Sequence, residues 1–176
     1  VSKTNTMPKA YWAWDEILAA NANGFWPSTP ATNILYGLAE AIDMLNEEGL
    51  SNVFARHLRH AQATRAAVEA WGLEVLCQNP AEYSPALTAV VMPKKPDGTH
   101  YNADALRKTA LEKFNMSLGT GLSKLSGWVF RIGHLGDFND LTLLGTLGGV
   151  EMALEAAGVP HKKGGTQAAI DYLAKA

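Results

Sequence analysis

The feature that most limits the possible folds of this chain is an abrupt change of hydrophobic pattern at Gly72. Before it, apolar residues recur at helical spacing, first from about Thr29 and then from about Leu50 to Trp71. After it, the apolar runs are short and continuous, as in Leu73–Cys77 and Ala86–Met92. The chain is therefore predicted to pass from helices into a unit that mixes short, buried strands with helices.

The helical part is predicted to contain two helices that meet near Gly49. Ser28-Thr29-Pro30 is typical of a helix start, with Thr29 as the N-cap and Pro30 at the first helical position. The apolar positions that follow are Ile34, Leu35, Leu38, Ile42 and Leu45. The second helix has the candidate core positions Phe54, Leu58, Ala61, Ala67 and Val68, and Gly72 ends it.

The mixed part is predicted to hold three or four short strands covered by helices, an α+β arrangement. The expected helices run from about Ala103 to Phe114, from a cap at Asp137 or Asn139 to about Ala157, and onward from Gly164-Gly165. Besides the two apolar runs after Gly72, strands are expected at Met116–Leu118 and at Trp128–Ile132.

Composition narrows the classes of partner. Hydrophobic residues make up 47% and charged residues 18% of the chain, as in globular proteins, and the net charge of -2 gives no reason to expect nucleic acid or an anionic membrane as a partner. No apolar segment is long enough to span a membrane and no secretory signal is present, so the cytoplasm is the expected location.

The single cysteine, Cys77, excludes an internal disulfide and a cysteine-built metal site, and we expect it to be a buried structural thiol.

Five aromatic residues crowd the first part of the chain: Tyr11, Trp12, Trp14, Phe25 and Trp26. A free N-terminus seldom carries so much aromatic surface unless another surface covers it. We therefore expect this segment to begin inside a larger protein and to pack against another polypeptide.

Arg131 is the most informative single residue, because it lies in the apolar strand Val129–Ile132. A guanidinium group stays charged, and burying it without a partner is costly, so it requires an anion. Its planar donors suit a carboxylate, which could belong either to a substrate or to a structural Asp or Glu. The residues alone leave these two alternatives equally open.

The other polar candidates have ordinary structural interpretations. The basic segment 56–60 is expected to form a solvated helix face, and His57 and His60 lack the partners that a metal site needs, so no metal is expected. His134 is expected to bond to Asp137. Capping explains Ser28 and Thr29, although a hydroxyl and free amides at a helix start also suit a phosphate group.

The glycine-rich run from Gly119 to Lys124 lacks the spacing and the Gly-Lys-Ser/Thr ending of a nucleotide-binding loop. We expect a flexible loop near a site, with Lys124 in solvent.

Three segments together resemble class V aminotransferases, most closely the serine–glyoxylate and alanine–glyoxylate types. Residues 21–33 (NANGFWPSTPATN) are similar to the aromatic segment that leads into a helix in that family. Residues 116–121 (MSLGTG) resemble the glycine-rich loop before its carboxylate-binding arginine, and residues 129–137 (VFRIGHLGD) resemble the segment that holds this arginine. The resemblance continues through the helix that ends at Gly158 and covers nearly the whole chain.

The resemblance implies the α/β fold of type I enzymes that use pyridoxal 5'-phosphate (PLP): a large domain with a mainly parallel sheet, a small C-terminal α+β domain, and a homodimer with active sites at the subunit interface. Residues 1–48 would be the end of the large PLP-binding domain, and residues 49–176 the small domain with a mainly antiparallel sheet and the long interdomain helix. Arg131 would bind the substrate α-carboxylate. Thr29 would donate to the cofactor phosphate of the neighbouring subunit. Trp26, where the family usually has Phe or Tyr, would be the second cofactor-binding residue of this segment.

The resemblance also implies what this segment lacks. The family's Schiff-base lysine follows a Ser-Gly-Ser-Gln-type run that is absent here, as are the acid that pairs with the pyridine nitrogen and the aromatic that stacks on the ring. The expected activity is transfer of an amino group from serine, or a similar amino acid, to glyoxylate, giving glycine and a keto acid. Alone, the chain is expected to be inactive. The alternatives are a non-catalytic dimerisation or binding module, and one part of a two-chain enzyme.

Overall fold

The structure, a computed structural model, describes residues 4–9 and 12–175. The chain divides into two compact units, Val1–Gly49 and Leu50–Ala176. Tyr11, one of the aromatic residues that the sequence singles out, lies outside the described residues. Among the described residues, no helix is both long and apolar enough to cross a lipid bilayer.

The described part of the first unit contains the helices α1 (Trp14–Asn21) and α2 (Thr32–Glu48), and Gly49 ends α2. Neither helix has a buried residue. The apolar positions of α2 that the sequence pattern identifies are all exposed, from 39% at Leu45 to 72% at Ile34. The helical period of this segment was therefore predicted correctly, but its apolar stripe is not covered.

The predicted start of α2 was wrong by two residues. Ala31, rather than Thr29, takes the N-cap position, and no side chain caps the helix. The Thr32 amide donates to the Pro30 carbonyl at 2.9 Å, and Ala31 has φ -75° and ψ 69°, which together form an inverse γ-turn. This turn separates Pro30 from the first helical bond, so the helix begins at Thr32.

The second unit opens with α3 (Leu50–Ala70), the long helix that the sequence predicts. Ala61, Ala67 and Val68 are buried as expected. Phe54 and Leu58 were wrongly assigned to the core, since they are 66% and 49% exposed. The buried side of the helix is instead rotated to the stripe Val53, His57, His60, Ala61, Ala63, Thr64, Ala67 and Val68.

The four strands form one antiparallel sheet in the order β1-β2-β4-β3. They are β1 (Glu74–Val75), β2 (Leu87–Val91), β3 (Gly119–Thr120) and β4 (Val129–Gly133). This confirms the small α+β domain with an antiparallel sheet that was expected.

Met116–Leu118 does not form the predicted strand. Asn115 ends the preceding helix in the left-handed conformation, with φ 51°, and the Met116 amide donates back to the Ala110 carbonyl at 3.2 Å. The amide is thus used to close the helix end, and strand pairing starts only at Gly119.

Three further α-helices belong to the described part of this unit: α4 (Ala103–Phe114), α5 (Asp140–Ala156) and α6 (Gly165–Leu173). Two short 3-10 helices, Pro80–Glu82 and Ser123–Leu125, lie in the connections. Asn102 caps α4 by accepting from the Asp104 and Ala105 amides. Of the two candidate caps for α5, Asn139 is correct, because its side chain accepts from the Thr142 amide.

Glu151, on α5, stabilises the start of α6. Its carboxylate accepts from the Gly164 amide at 2.6 Å, from the Thr166 amide at 2.9 Å and from the Thr166 hydroxyl at 2.8 Å. Burial raises the pKa of Glu151, but these hydrogen bonds more than offset it and lower the pKa to about 2.

The core lies between one face of the sheet and the helices. Phe130 and Ile132 of β4 are fully buried there, together with Trp71. Since side chains alternate along a strand, Arg131 lies on the opposite face of the sheet.

Candidate functional site

Arg131 lies in an inner strand of the sheet, because β4 is flanked by β2 and β3. Its register partners are Ala89 on β2 and Gly119 on β3. Both partners are small, so the long Arg131 side chain is not blocked by a neighbouring side chain at its own level of the sheet. Arg131 is half-buried.

The Arg131 guanidinium has no anionic partner within the described part of the chain. Its Nε is buried and makes no hydrogen bond, and no ion pair or hydrogen bond of the side chain is found there. A permanently charged group in this state favours an anion from outside the described residues. Of the two alternatives left open by the sequence, a structural Asp or Glu within the described residues is thereby disfavoured.

His134, three residues beyond Arg131, is fully buried, but its predicted bond to Asp137 is not formed. The His134 Nδ1 donates to the Pro85 carbonyl at 3.0 Å, which leaves Nε2 to accept from the Thr88 hydroxyl, also at 3.0 Å. Burial lowers the pKa of His134 to about 4. This histidine is a neutral, fixed link between β2 and the end of β4.

The basic segment on α3 is not the solvated face that was predicted. His57 is 8% exposed and His60 is 1% exposed. His57 Nδ1 donates to the Val53 carbonyl at 2.7 Å and Nε2 accepts from the Gly136 amide at 3.1 Å, while His60 Nε2 lies 2.9 Å from the Asp140 carboxylate. The sequence could not show this, because the partners lie about 80 residues away.

The arginines of the same segment bind the same neighbouring residues. Arg56 donates to the carbonyls of Gly136 and Phe138 at 2.8 and 3.0 Å, and Arg59 pairs with Asp140 at 2.6 Å. Side chains of α3 therefore hold the segment that follows β4. Among the described residues, no group of three or more His, Cys, Asp or Glu side chains could hold a metal ion.

Thr29 and Trp26 belong to the first unit and precede α2. Thr29 is exposed, and its hydroxyl has no hydrogen-bond partner among the residues that the structure describes. Trp26 is 47% exposed. Although Thr29 is not the N-cap, its hydroxyl is free to donate to a ligand beside the first turn of the helix.

The glycine-rich run between β3 and β4 is compact rather than open. The Gly121 amide donates to the Val129 carbonyl at 2.9 Å, and a Cβ on Gly121 would lie 2.1 Å from the Leu125 carbonyl oxygen. Lys124 is exposed, as expected. This loop holds β3 against β4.

A cleft of about 210 Å³ lies beside β1 and β2 and was not anticipated from the sequence. Cys77 is only half-buried and lines it, so the prediction of a buried thiol was wrong. The Arg65 guanidinium lies 4.8 Å from the centre of the Tyr83 ring in the same wall. Arg131 is not among the residues that line this cleft.

No protein-family model matches the chain. It is 43% identical over 175 residues to serine–glyoxylate aminotransferase of Hyphomicrobium methylovorum and 45% identical over 174 residues to that of Arabidopsis thaliana. These matches cover 99% and 98% of the chain but 42% of each relative, so the chain spans about two fifths of their length. The crystal structure of pyridoxamine–pyruvate aminotransferase from Mesorhizobium loti superposes with a TM-score of 0.76 at 34% identity, over 86% of this chain and 38% of that one.

Proposed function

We propose that this chain, which corresponds to the C-terminal part of class V aminotransferases of the serine–glyoxylate kind, supplies that part of an enzyme that moves an amino group from serine, or a similar amino acid, to glyoxylate. The products are glycine and a keto acid. The observation that carries this proposal is the unpaired Arg131 guanidinium on an inner strand. Its charge matches the carboxylate that all four reactants share.

Arg131 would bind and orient this carboxylate in both halves of the reaction. Two parallel hydrogen bonds from a guanidinium fix the plane of a carboxylate as well as its distance. Because amino acid and keto acid present the same group, one arginine serves both substrates. Its contribution is to hold the reacting carbon in a fixed place, which lowers the entropic cost of the reaction.

The cofactor that this chemistry requires is PLP, which when bound supplies the carrier of the amino group and an electron sink. Thr29 fits a role in holding its phosphate, because its free hydroxyl, just before the start of α2, can donate to an anion. In a homodimer, Thr29 would donate to the phosphate bound in the neighbouring subunit, with Trp26 beside it.

The remaining catalytic groups would come from the part of the protein that the relatives have and this chain does not cover. No lysine of the described chain lies in the context of a Schiff-base lysine, and the acid for the pyridine nitrogen is absent too. We assign residues 1–48 to the end of the large domain and residues 49–176 to the small domain, and we place the enzyme in the cytoplasm.

Intact mass and a visible absorption spectrum test this assignment against its alternatives. The expected result is a longer polypeptide that contains this sequence and stays yellow after addition of PLP and removal of the unbound cofactor. A yellow sample that holds a second, separate polypeptide indicates a two-chain enzyme. A colourless protein of this mass alone, with no longer form in its source, indicates a non-catalytic module.

A further inference from the structure

We propose that Gly119 is a positioning residue that sets the orientation of the Arg131 guanidinium. The inference rests on the proposed role of Arg131 as the carboxylate-binding group. It explains why the Arg131 side chain has one preferred conformation on the sheet.

The two residues lie directly opposite each other in the pairing of β3 with β4. A Cβ on Gly119 would lie 3.0 Å from the Arg131 Cβ and 3.1 Å from its Nε. The Arg131 side chain therefore passes directly over the Gly119 backbone. A side chain at position 119 would crowd the Arg131 Cβ and Nε, and these atoms would have to shift by at least a few tenths of an ångström to make room.

Packing alone determines where this guanidinium lies. Within the described residues, Arg131 makes no ion pair or hydrogen bond that could hold it, and its Nε is buried. A free arginine side chain would otherwise sample many rotamers and lose that freedom on binding a ligand. Packing against the Gly119 backbone limits the rotamers of Arg131 before the carboxylate binds.

The short strand β3 is held in place on both sides of Gly119. Before it, the Arg107 Nε donates to the Leu118 carbonyl at 2.8 Å. After it, the Thr120 hydroxyl donates to Asp104 at 3.3 Å, and the Gly121 amide pairs with β4. An added Cβ at position 119 would press on the Arg131 Cβ at 3.0 Å and on its Nε at 3.1 Å. Because both strands hold their backbones in place, the Nε, on the flexible part of the side chain, is the atom that can move aside.

The experiment is Gly119→Ala in the complete enzyme that contains this chain. We expect KM for both serine and glyoxylate to rise about tenfold with kcat changed less, because a misplaced guanidinium binds every carboxylate less well. The control is Gly133→Ala, on the same strand face as Arg131, where a Cβ would meet nothing within 4 Å. It should leave both KM values unchanged.

The Arg131→Ala background shows whether Gly119 acts through Arg131. In the Arg131→Ala variant, adding Gly119→Ala should change KM little, because the guanidinium that Gly119→Ala would displace is no longer present. An equal rise of KM in both backgrounds overturns the inference, and so does a Gly119→Ala variant that behaves like Gly133→Ala. If Arg131→Ala itself leaves KM unchanged, the proposed role of Arg131 fails, and the inference fails with it.

A measurement on the unchanged protein covers the case in which Gly119→Ala does not fold. With ¹⁵N-labelled arginine, the buried Arg131 Nε–H should exchange with solvent more slowly than the free amino acid and should shift on titration with glyoxylate. Exchange as fast as that of free arginine would show that the side chain does not pack over Gly119, and would overturn the inference.

Discussion

Arg131 lies in the middle of β4 and His134 directly follows the strand, and the two side chains have opposite chemical properties. The arginine carries a charge that it cannot lose and has no partner in the described residues. The histidine is buried, has a partner on each ring nitrogen and has a pKa lowered to about 4. Arg131 is therefore the candidate for binding an anion from outside the described residues, whereas His134 fixes the segment that follows β4.

Replacing Arg131 with Ala in the complete enzyme should lower kcat/KM for serine and for glyoxylate alike. The loss of a charge-assisted, bidentate contact should cost roughly 3 kcal/mol, or about a hundredfold. Arg131→Lys should recover only part of this loss, because an ammonium group cannot reproduce the planar pair of donors. Steady-state kinetics with both substrates measures the effect.

A thermal melt of the same variants separates this role from a purely structural one. If Arg131 only stabilised the sheet, Arg131→Ala would lower the melting temperature and leave kcat/KM unchanged in the folded fraction. That combination would remove Arg131 from the site. Affinity for PLP should barely change, because the proposed phosphate contacts lie elsewhere, at Thr29.

The buried His134 predicts a loss of stability in acid. Its folded-state pKa is about 4, below its ordinary value of 6.5, so the unfolded chain binds the proton first and stability falls as the pH drops from 6.5 towards 4. The charge of the Arg65 guanidinium on α3 adds to this effect. Between about pH 7 and pH 5 the loss should be ~2 kcal/mol.

Urea denaturation at both pH values, for the wild type and for His134→Gln, measures this contribution. The glutamine cannot be protonated, so its free energy of unfolding should fall less by about the same ~2 kcal/mol. Equal pH dependence in the two proteins would show that His134 is not held neutral.

The sequence identified Arg131 because a cation inside an apolar run is conspicuous whatever the fold. It could not identify the partners of the histidines, since Thr88 lies 46 residues from His134 and Asp140 lies 80 residues from His60. Only the packing of α3 against the segment after β4 brings these groups together.

At the level of elements, α6 depends on the close approach of a glycine to a tryptophan. A Cβ on Gly165 would lie 2.2 Å from the Nε1 of Trp71, which is fully buried at the end of α3. The indole is rigid and enclosed by the core, so moving it aside would cost packing energy. The first residue of α6 must therefore lack a side chain.

Gly165→Ala should destabilise the chain by ~2 kcal/mol or more through this overlap. The matched control is Gly145→Ala in α5, where a Cβ would meet nothing within 4 Å. Because alanine favours a helix interior over glycine, the control should be neutral or stabilising by up to about 1 kcal/mol. Denaturant titrations decide, and a Gly165→Ala variant as stable as the control would contradict the packing described for α6.

The elements that the sequence predicted best carry their own local signals. The helix α4 was predicted from about Ala103 to Phe114 and has these bounds, and in the structure the Asn102 side chain caps it. The start of α2 and the strand at Met116–Leu118 were missed, because a γ-turn at Ala31 and the closing of α4 by the Met116 amide depend on backbone geometry that composition does not reveal.

For the whole molecule, the exposed aromatic residues of the first unit are the main sign that more polypeptide belongs here. Trp12, Trp14 and Phe25 are 80%, 74% and 73% exposed, and Trp26 is 47% exposed. We predict that they pack against the remainder of the enzyme or a second subunit.

Acrylamide quenching of tryptophan fluorescence tests this prediction. In the polypeptide of residues 1–176 the signal of Trp12, Trp14 and Trp26 should be strongly quenched, whereas in the complete enzyme it should be protected. Trp71, which is fully buried, is the internal reference for a protected residue. Equal quenching in the two proteins would contradict the predicted contact.

The measurement that tests the central proposal most directly is transfer of the amino nitrogen itself. ¹⁵N-labelled serine and unlabelled glyoxylate are incubated with PLP and either the complete protein or residues 1–176 alone. The account predicts ¹⁵N-glycine from the complete protein, much less from its Arg131→Ala variant, and none from residues 1–176. No labelled glycine from the complete protein, or labelled glycine formed by residues 1–176 alone, would contradict it.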